Sequence, residues 1–265
     1  DNGAFDLANT GLTLNAGGTN GSFTQTSDTS LTLSGSGKAL LINGDGDGTG
    51  GTTLAANVVT NGGTITIDDK ITLGAAVTLD STNSGGTAAG ANVAINSTSG
   101  GGTVNGAQNL TITAGTGGSI TLAGAIGGST AIGDLSLTTG SALALPAVTL
   151  ATGKNLTTSS GALTQTGVLT VPGTSSLTAG SNNVTLDNTA NVLTGNVTLS
   201  TSGSGNVTID NGTTALAVQG TVAGNLSLTS GGAITDSGAL VVNGDVTLTT
   251  DANNGLINLG TLQQS

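Results

Sequence analysis

Few residues in this chain have types and spacing that could do chemistry. Asp45 and Asp47 alternate with glycine in the run Asn43-Gly-Asp-Gly-Asp-Gly-Thr-Gly-Gly51. Carboxylates on a pliable loop suit calcium, which takes hard oxygen ligands, so Asp45 and Asp47 are the candidate metal ligands. Asp68 and Asp69 stand side by side before Lys70. Paired carboxylates can divide acid and base roles in glycoside hydrolysis. Such a site also wants aromatic rings or arginine to hold a sugar, and the chain has two Phe, no Trp or Tyr and no Arg. The pair therefore reads as a tight turn between Ile65-Thr-Ile67 and Ile71-Thr-Leu73. No catalytic residue is assigned, no cofactor is expected beyond the calcium that Asp45 and Asp47 suit, and no enzyme is expected.

Hydroxyls and amides are the remaining polar chemistry. Thr-x-Thr occurs at Thr24/Thr26, Thr64/Thr66, Thr111/Thr113 and Thr164/Thr166. Ranks of Thr on a flat strand face could order water against ice, or lie on a polysaccharide, if the motif held register on nearly every coil. Ser, Ala and Asn interrupt it. Asn-x-Ser/Thr occurs at Asn20, Asn96, Asn109, Asn155, Asn183, Asn196, Asn206, Asn211 and Asn225. These are candidate glycosylation acceptors in a secreted protein. Their place at strand starts also has a structural reason, because Asn suits a corner.

Composition excludes most other chemistry. The 265 residues include no His, Cys or Arg, so the usual general base, thiolate and bidentate anion clamp are missing. Fourteen acidic residues, all Asp, face three Lys, giving a net charge of −11. Nucleic acid and anionic lipid are poor partners for such a surface. No apolar run is long enough for a membrane helix. No signal peptide opens the chain, and its start at Asp1 reads as a processed or excised piece of a longer protein. Leu, Ile, Val and Phe together make 63 of 265 residues. That exceeds the roughly 20% below which disorder is expected, so the chain should fold.

The elements that must position these residues are short. The dominant pattern is apolar–Thr/Ser–apolar, bounded by Gly, Asn or Asp. Examples are Leu12-Thr-Leu14, Ile65-Thr-Ile67, Leu110-Thr-Ile112, Val184-Thr-Leu186, Val207-Thr-Ile209 and Val246-Thr-Leu248. Period-2 alternation between turn formers predicts strands with one face buried and one wet. Glu and Arg are absent and Gly, at 47 residues, interrupts every window of helix length, so no helix is expected.

The strands recur about every 20 residues, as at Asp134-Leu135, Asn155-Leu156, Ser176-Leu177 and Asn196-Val197. Such a period, with about three strands per unit, predicts a parallel β-helix or β-solenoid whose coils must stack to bury anything. A longer repeat overlies the short one. It relates Asn155-Leu156, Ala162-Leu163 and Val168-Leu169 to Asn225-Leu226, Ala233-Ile234 and Ala239-Leu240. About 13 coils stepping roughly 4.8 Å would make a rod on the order of 60 Å. The whole of residues 1–265 reads as one solenoid segment, with less regular coils over 1–104 and regular ones over 105–265.

The run Gly224-Asn-Leu-Ser-Leu-Thr-Ser-Gly-Gly-Ala-Ile-Thr-Asp-Ser-Gly-Ala-Leu-Val-Val-Asn-Gly-Asp-Val-Thr-Leu248 resembles the repeats of filamentous-haemagglutinin-like bacterial adhesins and related autotransporter passengers. The resemblance covers residues 105–260 best. It implies a right-handed parallel β-helix outside a Gram-negative cell, acting in attachment, aggregation or biofilm formation. It implies as partners a host or neighbouring cell surface, or matrix polysaccharide. The Asn-Pro-Asn-Gly motif of that family's secretion domain is absent, and the only prolines are Pro146 and Pro172. The chain then corresponds to a stalk. Open coil ends would expose unpaired strand edges, so head-to-tail assembly with itself is a further expectation.

Overall fold

A computed structural model describes residues 5–16, 21–26, 29–43, 50–96, 102–251 and 255–264. It is all-β, with parallel strands stacked as a solenoid of about 10 turns and about 22 residues per turn. No helix occurs among the described residues. The coils are fewer and longer than the period of the sequence suggests, and the extra residues lie at corners. Each quoted triplet falls on a strand, from Leu12–Asn15 through Ile65–Asp68 to Val246–Thr250. Alternation sets this: Ile65 and Ile67 are 0% exposed, while Thr66 between them is half-buried.

The chain divides into two compact units, Asp1–Ser141 and Ala142–Ser265. In the first unit each coil visits three parallel sheets. Its first face includes Leu31–Ser36, Val58–Asn61, Val77–Asp80, Leu110–Gly115 and Leu135–Thr139. Its second face runs through Leu12–Asn15, Leu40–Asn43, Ile65–Asp68, Val93–Ile95 and Ile120–Leu122. Its third holds Ser22–Thr24, Gly51–Leu54, Ile71–Leu73 and Val104–Asn105. Coil length varies widely. Thr52 pairs with Ile71, and Ile71 pairs onward with Val104, a far longer step along the chain.

The second unit repeats the plan with tighter coils. Its first face carries Leu156–Ser159, Ser175–Gly180, Val197–Thr201, Leu216–Val222 and Ile234–Val242. Its second carries Leu143–Leu145, Leu163–Gln165, Val184–Leu186, Val207–Asp210, Leu226–Ser230 and Val246–Thr250. Its third carries Val148–Thr149, Leu169–Val171 and Val192–Leu193. Register steps here stay close to one length, the shortest taking Leu216 to Ile234 and the longest Val184 to Val207 and Ile234 to Ile257.

The later coils of this unit lose one corner. Ile234–Val242 is nine residues long and serves two positions: Ile234 pairs onward with Ile257 and Leu240 with Leu262. The preceding strand kinks at Gly220, where φ is +111° and a Cβ would lie 2.1 Å from the Leu199 carbonyl oxygen. Only glycine fits there.

Both cores are aliphatic. Leu33, Ile67 and Ile112 in the first unit, and Leu177, Leu186 and Leu228 in the second, are 0% exposed. Each such side chain contributes roughly 1.5–3 kcal/mol by leaving water. This stacking explains how a fold with two phenylalanines builds a core.

Candidate functional site

Asp45 and Asp47 lie outside the described residues. The described chain breaks off before them at Asn43, the last residue of Leu40–Asn43. Asn43 pairs in register with Asn15 on one side and Asp68 on the other. The strand end at Asn43 thus adjoins the strand end bearing Asp68, a juxtaposition that sequence spacing did not show. One carboxylate oxygen of Asp68, Oδ1, is buried without a hydrogen-bond partner. Among the described residues, no group of three or more His, Cys, Asp or Glu could hold a metal ion.

Asp68 ends the strand Ile65–Asp68, and Asp69 with Lys70 makes the short corner before Ile71–Leu73. Asp69 is 5% exposed. Its Oδ2 accepts the Thr52 hydroxyl at 2.9 Å and its Oδ1 accepts the Lys70 amide at 2.8 Å. A carboxylate held this way secures the corner to the preceding coil.

Of the Thr-x-Thr pairs, Thr111 and Thr113 stand in register with Thr78 and Asp80 on one side and Ser136 and Thr138 on the other. Thr66 instead faces Leu41 and Ala94, so no rank forms there. Thr24 pairs with Thr53, and Thr164 with Ala144 and Thr185.

A more regular array was not apparent from the motif. On the first face of the second unit, Thr157/Ser159, Ser176/Thr178, Thr198/Ser200 and Gln219/Thr221 occupy successive coils in register. This makes two adjacent ranks roughly 7 Å apart, stepping about 4.8 Å per coil. No member of the two ranks is charged.

The array does not stay on one face. In the long repeat, Asn155-Leu156 recurs as Asn225-Leu226 and Ala162-Leu163 as Ala233-Ile234. Leu156–Ser159 lies on the first face, but Leu226–Ser230 lies on the second. Leu163–Gln165 lies on the second face, but Ile234 opens the strand that runs on into the first. Three register steps lead from Leu156 through Ser175 and Val197 to Val218 on the same face, and Leu226, one long repeat from Leu156, lies one face further on. The hydroxyl pair Thr157/Ser159 therefore reappears as Ser227/Thr229 on the neighbouring face, and Ser176/Thr178 as Thr247/Thr249.

The sequon asparagines act mainly as corner posts. Asn183 Oδ1 accepts the Asn206 amide at 2.9 Å, Asn206 Oδ1 accepts the Asn225 amide at 2.7 Å, and Asn225 Oδ1 accepts the Asp245 amide at 2.9 Å. Asn109 and Asn155 receive the Asp134 and Thr174 amides in the same way, at 2.8 and 2.9 Å. Each corner amide leaves its strand ladder and needs an acceptor, and the asparagine of the coil before it supplies one. Asn20 lies outside the described residues. Asn211 is 0% exposed, so it presents no acceptor nitrogen at the surface.

Two buried amides were missed in the sequence. Asn191 and Asn211 are both 0% exposed. Asn191 accepts the Leu169 amide at 2.9 Å and exchanges two hydrogen bonds of 2.9 Å with the Gln165 side chain. Asn211 accepts the Leu193 amide at 2.7 Å and donates to the carbonyls of Leu193, Thr214 and Ala215. Apart from the Asn-Gly-Thr sequon at Asn211, the sequence signal for their burial is an Asn one coil apart, at 191 and 211.

Among the described residues, one titrating group is perturbed. Asp236 is held below the usual carboxylate range, first by the Thr261 hydroxyl at 2.6 Å and then by the Thr261 amide. The contact joins the last described coil to the one before it.

Residues 132–200 and 204–263 are similar to a family model described as repeats of unknown function (DUF5649). The second stretch begins close to one long repeat after the first, the repeat that advances by one face. No curated protein and no solved structure matches the chain.

Proposed function

We propose that this chain is a segment of an extracellular structural or adhesive rod at a bacterial cell surface, with no enzymatic activity. Its role is attachment to a neighbouring or host cell surface or to matrix polysaccharide, leading to aggregation or biofilm. The observation that carries this is the advance of the long repeat by one face. It spreads similar Thr/Ser pairs around the coil, which suits a stalk contacted from any side. The acidic excess, −11 overall, keeps an edge-rich β structure soluble. The resemblance of Gly224–Leu248 to adhesin repeats supports the location.

Beads coated with the purified chain should adhere to bacterial cells or matrix polysaccharide more than beads coated with an unrelated protein of equal net charge. Equal adherence would sink the proposal. The hydroxyl ranks on the first face of the second unit favour a second function, binding to ice or a crystalline polysaccharide. Thermal hysteresis in solutions of the chain supports the ice version, and its absence removes it.

A further inference from the structure

We infer that the second face of the second unit binds a linear polysaccharide of amino sugars whose ammonium groups are free. The inference rests on the attachment to matrix polysaccharide proposed above, and names the class of sugar and the surface. Outward residues on this face form one rank across five coils. Thr164 pairs with Thr185, Thr185 with Thr208, Thr208 with Ser227 and Ser227 with Thr247. Thr164 and Thr247 are exposed, and the three between them are half-buried. Every member carries a hydroxyl, which both donates and accepts hydrogen bonds. The rank lies on the flank of the coils, and stacking covers only their edges.

Carboxylates border the same face. The second unit holds five Asp and one Lys, and four of the five Asp stand beside the second face. Asp245 precedes Val246–Thr250 and Asp251 follows it. Asp210 ends Val207–Asp210, and Asp187 follows Val184–Leu186. Leu186 pairs with Ile209, so Asp187 and Asp210 take matching places on adjacent coils. Asp187, Asp245 and Asp251 are exposed and Asp210 is half-buried. Asp210 and Asp251 line a hollow of about 330 Å³ with Gly212 and Gly231. The first face differs. Its ranks have one Asp on their strands, Asp236 in Ile234–Val242, and the unit's Lys154 stands just before its strand Leu156–Ser159.

These features select the ligand. A rank stepping about 4.8 Å per coil suits a partner that itself repeats, and an extended sugar chain presents a polar edge at a similar interval. A folded protein surface has no such period. The second unit has no Phe, Trp or Tyr to stack on a sugar's apolar face, so recognition falls to hydroxyls and carboxylates. Carboxylates repel anionic sugars, and their hydrogen bonds with ammonium groups are charge-assisted and strong. A neutral glucan would leave the bordering Asp residues idle.

The test is isothermal titration calorimetry on the 265-residue chain at about pH 5.5, where aspartates and glucosamine ammonium groups are both charged. A chitosan oligosaccharide should bind, more weakly as salt rises, and its fully N-acetylated counterpart should not. Asp187→Asn with Asp210→Asn should weaken chitosan binding roughly tenfold. The exchange is isosteric, and residue 210 can still accept the Gly212 amide that Asp210 Oδ1 accepts at 2.8 Å. Thr185→Val with Thr208→Val, which keeps the strand shape, should weaken binding several-fold. A control of the same net charge, Asp134→Asn with Asp236→Asn, lies off this face and should bind like the unaltered chain. Circular dichroism must match in all forms. If the double Asp variant loses its β signal, the single exposed Asp187→Asn serves instead, with a loss of roughly threefold. Absence of chitosan binding overturns the inference, as does equal binding of the acetylated oligosaccharide or an equal loss in the control. Equal affinity for oligolysine also overturns it, because charge alone would then suffice. Any of these results beside adherent beads removes this site and leaves the rod standing, whereas failure of the beads removes the rod reading itself.

Discussion

The two units share a core and differ in their corners. In both, aliphatic side chains stack in register and are closed to water, as at Ile67 and Leu186. Register steps in the first unit run from the short Thr52-to-Ile71 to the long Ile71-to-Val104. Those in the second vary only between Leu216-to-Ile234 and Val184-to-Val207. A solenoid therefore tolerates variable coil length so long as the extra residues leave between strands. Part of the first unit's excess is the excursion after Val77–Asp80. Asp80 closes it by accepting the Thr82 amide and hydroxyl, both at 2.6 Å, and the Ser84 amide at 2.7 Å. Asn83 and Ser84 there take positive φ, +54° and +55°. Ser81 then staples the far end, donating to the Ala91 carbonyl and accepting its amide at 2.8 and 2.9 Å.

If the cores are equivalent, equal truncations should have equal cost. Ile67→Ala in the first unit and Leu199→Ala in the second should each lose about 3 kcal/mol of stability in denaturant titrations. A loss in the first unit less than half that in the second would break the comparison, because looser corners would then imply looser packing.

The corners should separate the units. Asn211→Ala leaves the Leu193 amide and three carbonyls without their side-chain partner, and should cost about 2 kcal/mol. Its effect should spread through neighbouring coils of the second unit, seen as faster amide exchange at Leu193 and beyond.

Asp80→Ala should cost less, about 1 kcal/mol, since the excursion can open alone. Faster exchange or protease cleavage confined to residues 81–91 is expected. Destabilisation of the whole first unit would show that the excursion is part of the core.

The smallest effect concerns Asp236. Its folded-state carboxyl titrates below the ordinary range, so its contribution is present above the ordinary carboxylate pKa and is lost as pH falls through the lowered value. Exchange at the Thr261 amide should quicken over that acidic interval, and Asp236→Asn should remove the pH dependence. Unchanged exchange across it would show that the last coil is held without this contact.

Much of the fold was legible because the alternation is local. Leu-Thr-Leu between turn formers leaves a strand few alternatives, and the parallel solenoid follows from the short period. Strands that break the rule were not legible. In Gly51–Leu54 the inward position is Thr52, 1% exposed, which is stable there because the Asp69 carboxylate accepts its hydroxyl. That partner comes from the next coil, and no local pattern announces it. The candidate site was legible only in part. The corner after Asp68 followed from its flanking strands, whereas the two hydroxyl ranks depend on register between coils, and mixed Ser and Thr conceal them from a Thr-x-Thr search.

The sequence by itself determined the strand pattern, the aliphatic interior, the corner residues and the existence of a long repeat. Composition did this, since a chain with no Cys, His or Arg and two Phe has only stacked aliphatics to bury. Only the tertiary structure decided which face each repeat meets. The repeat length and the turn length are independent quantities, and their remainder, one face per repeat, exists only once the coils are wound.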